Sequence, residues 1–217
     1  MEKFIKKRQE LKAKGDKSSL PKGVFEEASG LLGSAYKRLA ELNFRAKSIG
    51  KGAKKVKEML EKSRVGYLIG YDYNLSAHWN GVQYLSIESA LTGKISEPQY
   101  WHAAMLASKT DLRIKPPGKS HIWAEGSIAE LYLLAPLVGQ DKQLDKAKRT
   151  LEELIKLTKK YWDKENDFPI KSTQRQFNRY IYWWTKENGY FPAAETDLAS
   201  DAKELIKYME EKVVEFL

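Results

Sequence analysis

The chain has 217 residues, a formal net charge of +9 and no cysteine. Its hydrophobic content of 42%, with six Trp and twelve Tyr, is too high for intrinsic disorder, so we expect one folded domain or one repeat array. The lack of cysteine excludes disulfide scaffolds, thiolate metal sites and cysteine nucleophiles. No apolar run is long enough to cross a membrane, and we expect a cytoplasmic protein without a membrane partner.

The net positive charge lies entirely in the N-terminal third of the sequence, since the remainder is neutral. Residues 1–62 hold 17 Lys and Arg against 8 Asp and Glu, whereas residues 63–217 hold 21 of each. We predict a basic N-terminal arm or stub helix over residues 1–25, followed by a single helical repeat domain over residues 26–217. Part of the excess charge forms a predicted basic patch of Lys47, Lys51, Lys54, Lys55 and Lys57.

Apolar residues at three- and four-residue spacing predict helices along the whole chain. The first helix, over 26–42, has a predicted buried stripe of Ala28, Leu31, Leu32, Ala35, Leu39 and Leu42. Further helices are predicted from Val56 to Tyr67, over 76–91, from Ser96 to Leu112, from Ser120 to Pro136, over 144–162, from a capping box at Thr173 and Gln176, and from Thr196 or Asp197.

A tryptophan recurs at regular spacing in the middle of the chain. Trp79, Trp101 and Trp123 are 22 residues apart, one in each of three successive predicted helices. A helix pair of about 44 residues is longer than the 34-residue tetratricopeptide unit. This length suits a divergent helix-pair solenoid. We therefore predict an all-α fold of about eight helices arranged as helix-pair repeats.

Four segments carry a more specific resemblance. Leu32-Gly33 followed by Tyr36 has the leucine–glycine–tyrosine spacing of a first tetratricopeptide helix. Together with the aromatic-rich segments 78–86 and 123–132 and the Ser-Thr-Gln-Arg-Gln stretch within 172–180, the segment 30–37 resembles divergent tetratricopeptide modules. These modules are related to the TRAFs-binding domain of animal mitogen-activated kinase kinase kinases. The similarity covers about residues 26–184.

The resemblance implies a non-enzymatic adaptor or regulatory subunit that binds other proteins along an α-helical solenoid. In prokaryotes such modules occur in stress or antiviral defence signalling beside proteases. The resemblance implies no catalytic residues and no cofactor, and residues 1–25 lie outside it.

The residues themselves offer little catalytic chemistry. His78, His102 and His121 each lie close to a tryptophan, and gathering them would make a metal or acid–base site. No two of them have the spacing that places ligands on one helical face, so packing or helix-end roles are favoured. We predict no metal site, no cofactor and no enzymatic activity.

Glu130 is the most unusual side chain in the pattern, because it falls on the apolar face of its predicted helix. A buried carboxylate needs a partner, and Arg175 and Arg179, four residues apart, are candidates. The group is either an interior ion pair that fixes helix register, which is favoured, or a charged anchor in a binding groove.

Two functions compete. Protein binding is favoured, with an acidic partner segment that would suit the basic N-terminal third; the candidate partner-binding residues are Trp79, Gln83, Trp101, Trp123, Glu130, Arg175, Arg179 and Tyr180. The alternative is a nucleic-acid-associated protein that uses the basic third, although aromatic residues do not interleave with the lysines as stacking on single strands would favour.

Overall fold

The computed structural model describes residues 23–46, 51–162, 166–190 and 198–215, and within this part side chains 51–53 are not described. The described residues form helices and no strand, which confirms the predicted all-α class. The α-helices are α1 (Val24–Arg45), α2 (Lys51–Tyr73), α3 (His78–Thr92), α4 (Pro98–Ile114), α5 (Lys119–Leu134), α6 (Leu144–Tyr161), α7 (Phe168–Tyr182) and α8 (Leu198–Glu215).

The chain divides into two compact units, Met1–Ile87 and Glu88–Leu217. In the first unit α1 packs along α2. In the second unit α5 packs on α6, α7 packs on α8, and α4 also contacts α5. The helices thus pack in consecutive pairs, as expected of a helix-pair repeat fold.

Glycines allow α1 and α2 to approach closely in the first unit. A Cβ atom at Gly33 would lie 2.8 Å from the Tyr67 ring, and one at Gly66 would lie 3.0 Å from the backbone nitrogen of Gly33. Both distances are too short for a Cβ atom. The backbones of α1 and α2 can therefore come close only because these positions carry no side chain. The leucine–glycine–tyrosine segment of α1 therefore packs closely against α2 at Gly33.

The predicted buried stripe of α1 is wrong. Leu31, Ala35, Leu39 and Leu42 are exposed, and the buried face instead carries small and polar residues: Ser29, Gly30, Gly33, Lys37, Ala40 and Glu41. The physical reason is the glycine contact with α2, which needs the small-residue side of α1 to face inward. Hydrophobic spacing alone assigns the opposite side.

In the second unit the predictions for α5 and α6 agree with the structure. The apolar face of α6 is buried at Leu144, Ala147, Leu151, Leu154 and Thr158. A 3₁₀ turn, Ala135–Val138, follows α5 and ends at Gly139, which has a φ of 74°. Pro136 and Gly139 thus end this helix as their chemistry predicts.

The predicted start of α7 is wrong by one and a half turns. The helix begins at Phe168 with Pro169 in its first turn, and Thr173 bonds the carbonyl of Pro169 instead of capping. Gln176 reaches across to α5 instead of closing a capping box. The predicted caps of α8, Thr196 and Asp197, lie outside the described residues.

Candidate functional site

One polar position recurs on every second helix. Lys37 on α1, Gln83 on α3, Glu130 on α5 and Gln176 on α7 follow each other at 46, 47 and 46 residues. All four side chains are buried, although none is apolar. The recurrence of one register over four helices indicates that the helix-pair period is 46 to 47 residues, slightly longer than the tryptophan spacing suggested.

In the first unit this position is a cation paired with an amide. The Lys37 ammonium donates a hydrogen bond to the side-chain oxygen of Gln83. The same ammonium lies 5.4 Å from the centroid of the Tyr67 ring, which adds a cation–π contact. One turn further along α1, the buried carboxylate of Glu41 accepts from Arg38 at 3.2 Å and from Arg45 at 2.7 Å.

In the second unit the same position is an anion paired with an amide. One carboxylate oxygen of Glu130 accepts hydrogen bonds from Gln176 at 2.7 Å and from the Tyr180 hydroxyl at 2.8 Å. Arg179 donates to the side-chain oxygen of Gln176 at 2.5 Å. Glu130 is thus linked to α7 through Gln176 and Tyr180, and Arg179 joins the same polar group at Gln176. The pairing of Glu130 with Arg175 and Arg179 stays a prediction.

Sequence reasoning overlooked Lys37 and Gln176 as members of these polar groups. Each lies one repeat away from a residue that was singled out, Gln83 and Glu130 respectively. A search for polar residues at 46-residue spacing would have found both. A glycine also stands four residues before Lys37 and before Glu130, at Gly33 and Gly126, and a Cβ at Gly126 would lie 3.2 Å from Leu154.

The three equally spaced tryptophans have different environments. Trp79 is 37% exposed and packs edge-on against Tyr67 at 5.5 Å. Trp101 is only 5% exposed, and its indole N–H donates to the carbonyl of Leu131 at 2.8 Å. A side chain so buried offers almost no area to a partner, which gives Trp101 a role in the core of the second unit.

Trp123 belongs to an aromatic cluster in the second unit, formed with Trp162 and Phe168. Its ring is edge-on to Trp162 at 5.9 Å and to Phe168 at 6.0 Å, while Trp162 and Phe168 stack at 6.4 Å. Phe168 is 44% exposed, and the other two rings are partly exposed. The Lys119 ammonium lies 4.8 Å from the Trp162 centroid, so a cation borders the cluster.

Two rings of the aromatic cluster lie on the helices that carry the Glu130 group, whereas Trp162 follows the end of α6. Trp123 precedes Glu130 by seven residues on α5, and Phe168 precedes Gln176 by eight on α7, which is about two helical turns in both cases. Arg175, half-buried, lies between them on α7. These two helices thus place an exposed aromatic area about 11 Å along from a buried polar group.

Glu125 is a second buried carboxylate on α5. Its burial raises the pKa of the carboxyl to about 7, and the nearby negative charge of Glu153 on α6 adds to the increase. The group therefore changes protonation near neutral pH. Its position on the helix differs from that of Glu130.

The described part of the predicted basic patch is exposed. Lys54, Lys55 and Lys57 lie near the start of α2, whose first turn contains no acidic residue. Lys47 and the Lys51 side chain lie outside the described residues.

Two kinds of site are absent from residues 23–46, 51–162, 166–190 and 198–215. Histidine, aspartate and glutamate side chains do not gather there in groups of three that could hold a metal ion. None of the helices in that part of the chain has both the length and the apolar character of a membrane span.

Comparison with protein-family models, curated proteins and solved structures finds no match to the chain. The tetratricopeptide-like assignment therefore stays a prediction from the residues.

Proposed function

We propose that the protein is a non-enzymatic helix-pair repeat protein that binds a protein partner through α5 and α7. The observation that carries this proposal is the aromatic cluster of Trp123, Trp162 and Phe168 on the surface of the second unit. The few residues that carry most of the binding energy of a protein interface are enriched in aromatic side chains, Trp and Tyr above all. Their perpendicular and stacked contacts hold them in place before a partner arrives.

The polar group beside the cluster has a supporting role in this proposal. Glu130, Gln176 and Tyr180 are too buried to offer much area, but their hydrogen bonds tie α5 to α7. A fixed spacing between these helices keeps Trp123 and Phe168 in one arrangement. Lys119 borders the surface with a positive charge, which suits a partner segment that carries carboxylates.

The resemblance seen in the sequence also suggests the cellular system in which the protein would act. A regulatory or adaptor role in a prokaryotic stress or defence signalling system, beside a protease and in the cytoplasm, is the setting that the related modules suggest. No cofactor is needed for such a role.

Site-specific photocrosslinking tests protein binding. A photoreactive phenylalanine analogue placed at Phe168 in cells of the source organism should crosslink one defined protein, whereas the same analogue at Tyr182, exposed on the same helix, should not. The identified partner, purified, should then bind the Trp123→Ala, Phe168→Ala variant at least about tenfold more weakly. Equal crosslinking from both positions, or unchanged affinity, would contradict the proposal.

The exposed lysines of α2 favour nucleic-acid binding as a second candidate. Lys54, Lys55 and Lys57 place three cations at the helix start. Binding of this kind loses affinity steeply as salt rises, whereas an aromatic protein interface changes little. Substituting all three lysines with Gln should abolish the salt-dependent component of any measured nucleic-acid affinity while leaving partner crosslinking from residue 168 unchanged.

A further inference from the structure

Helix α1 presents an apolar stripe to solvent. Leu31, Leu39 and Leu42 are 54%, 45% and 63% exposed, and Val24 and Ala35 lie exposed on the same side. Single exposed leucines are ordinary on protein surfaces, but here exposed apolar residues follow one another over about five turns of one helix, from Val24 to Leu42. We name as the α1 stripe the apolar residues on this side of the helix, which are Val24, Ala28, Leu31, Ala35, Leu39 and Leu42.

The stripe has the spacing of a helix–helix contact. Its members follow at intervals of four, three, four, four and three residues, the pattern by which one helix packs along another. The opposite face of α1 is already occupied, since Gly33 contacts Gly66 and Tyr67 on α2. The stripe is therefore available for a helix from another molecule.

We infer that the α1 stripe pairs with the α1 stripe of a second copy of the chain, in antiparallel orientation. The charges along α1 favour this partner and this direction. Its exposed acid, Glu27, lies near the N-terminal end. The exposed bases Arg38 and Arg45 lie in the C-terminal half, where both contact the single buried carboxylate of Glu41 and leave a net positive charge. Antiparallel pairing places Glu27 of one copy beside the basic half of the other, and parallel pairing would place the arginines opposite one another.

The pattern is also self-complementary about its centre. With Ala35 on the twofold axis, Leu31 lies opposite Leu39 of the second copy and Ala28 lies opposite Leu42 of that copy. The small alanine at the centre permits close approach, and the antiparallel helix dipoles add a favourable term. A twofold contact of this kind closes on itself and gives a dimer, not a filament.

Sedimentation of the full chain tests the pairing. The wild-type protein should sediment as a dimer, at about twice the chain mass of 25.0 kDa, and the Leu31→Glu, Leu42→Glu variant should sediment as a monomer. Leu106→Glu is the matched control, because Leu106 is an isolated leucine on α4 that is 68% exposed. This control should remain dimeric. Circular dichroism of all three proteins should be the same, since the substituted positions are exposed.

Disulfide crosslinking tests the orientation. Because the chain has no native cysteine, only the introduced thiols can form a disulfide. Ala35→Cys places the two thiols at the twofold axis and should give a covalent dimer on oxidation. Val24→Cys should not, because antiparallel pairing separates the two residues by about 33 Å at 1.5 Å per residue. Efficient dimerisation through Val24→Cys would overturn the antiparallel arrangement.

A wild-type chain that is monomeric at all concentrations would overturn the proposal. A dimer that persists in the Leu31→Glu, Leu42→Glu variant would do so as well. In the monomeric case, mapping a photocrosslink from residue 31 would show whether residues 1–22 of the same chain cover the stripe. The proposal concerns the first unit only, so these outcomes leave crosslinking from Phe168 unaffected.

Discussion

Gln176 on α7 donates a hydrogen bond from its side-chain amide to the Glu130 carboxylate on α5, at 2.7 Å. Its side-chain oxygen accepts from Arg179, so one amide satisfies an anion and a cation at the same time. At the equivalent place in the first unit, Gln83 accepts from the Lys37 ammonium. A glutamine can serve either charge because its amide both donates and accepts, which explains how one register holds a lysine in one unit and a glutamate in the other.

Replacing Gln176 with Leu should destabilise the second unit by about 2–3 kcal/mol. The substitution removes one donor from the buried Glu130 carboxylate and one acceptor from the buried Arg179 guanidinium. Urea unfolding measures the loss. Gln174→Leu is the control, because Gln174 is only half-buried on the same helix. Equal stability of the two variants would show that the polar group contributes little to the fold.

Substituting Gly33 with Ala should lower the melting temperature, although alanine is the better helix former by about 1 kcal/mol. The added methyl group would lie 2.8 Å from the Tyr67 ring and would force α1 and α2 apart, at a cost of about 1–3 kcal/mol. Ser34→Ala, at the next and partly exposed position, should instead be neutral or slightly stabilising. A gain in melting temperature for both variants would mean that the helix contact is loose.

The positions of the helices were more predictable from the sequence than the sides that they bury. The buried face of α6 was predictable because its regularly spaced apolar residues themselves pack into the core. In α1 the glycines decide the inward side, and their role depends on Gly66 of another helix, which spacing within α1 does not reveal. The link from Glu130 to α7 was predictable because a carboxylate on an apolar face needs a donor. Its donor Gln176 was detectable only through the 46-residue spacing from Glu130, since an amide side chain leaves no charge signal in a sequence.

Trp101→Phe should reduce stability by about 1 kcal/mol without affecting partner crosslinking from residue 168. The change removes the indole N–H that donates to the Leu131 carbonyl, while the remaining ring fills most of the space. Trp123→Ala should instead cause a large loss of crosslinking, together with the loss of stability expected when a part-buried ring that packs on two others is removed. Thermal unfolding and crosslinking yield, measured on both variants, separate the two roles. Loss of crosslinking in Trp101→Phe at unchanged stability would contradict this division.

Glu125 should make the stability of the second unit depend on pH. Burial raises the pKa of its carboxyl from 4.5 to about 7, so the folded state holds the proton more tightly than the unfolded state. The resulting stabilisation is fully present below about pH 4.5 and is lost as the pH rises through about 7. Between these limits the free energy of unfolding should fall by about 2 kcal/mol, allowing for the partial exposure of the group.

Glu125→Gln should remove most of this dependence, because the amide does not titrate. Urea unfolding at intervals from pH 4.5 to 8 should show the variant gaining on the wild type as the pH rises. Glu153→Gln provides a graded control. It removes the neighbouring negative charge, which is the smaller cause of the raised pKa, and should reduce the slope without abolishing it. If wild type and Glu125→Gln gave parallel curves across this range, the carboxylate would have to ionise in the folded state as readily as in water.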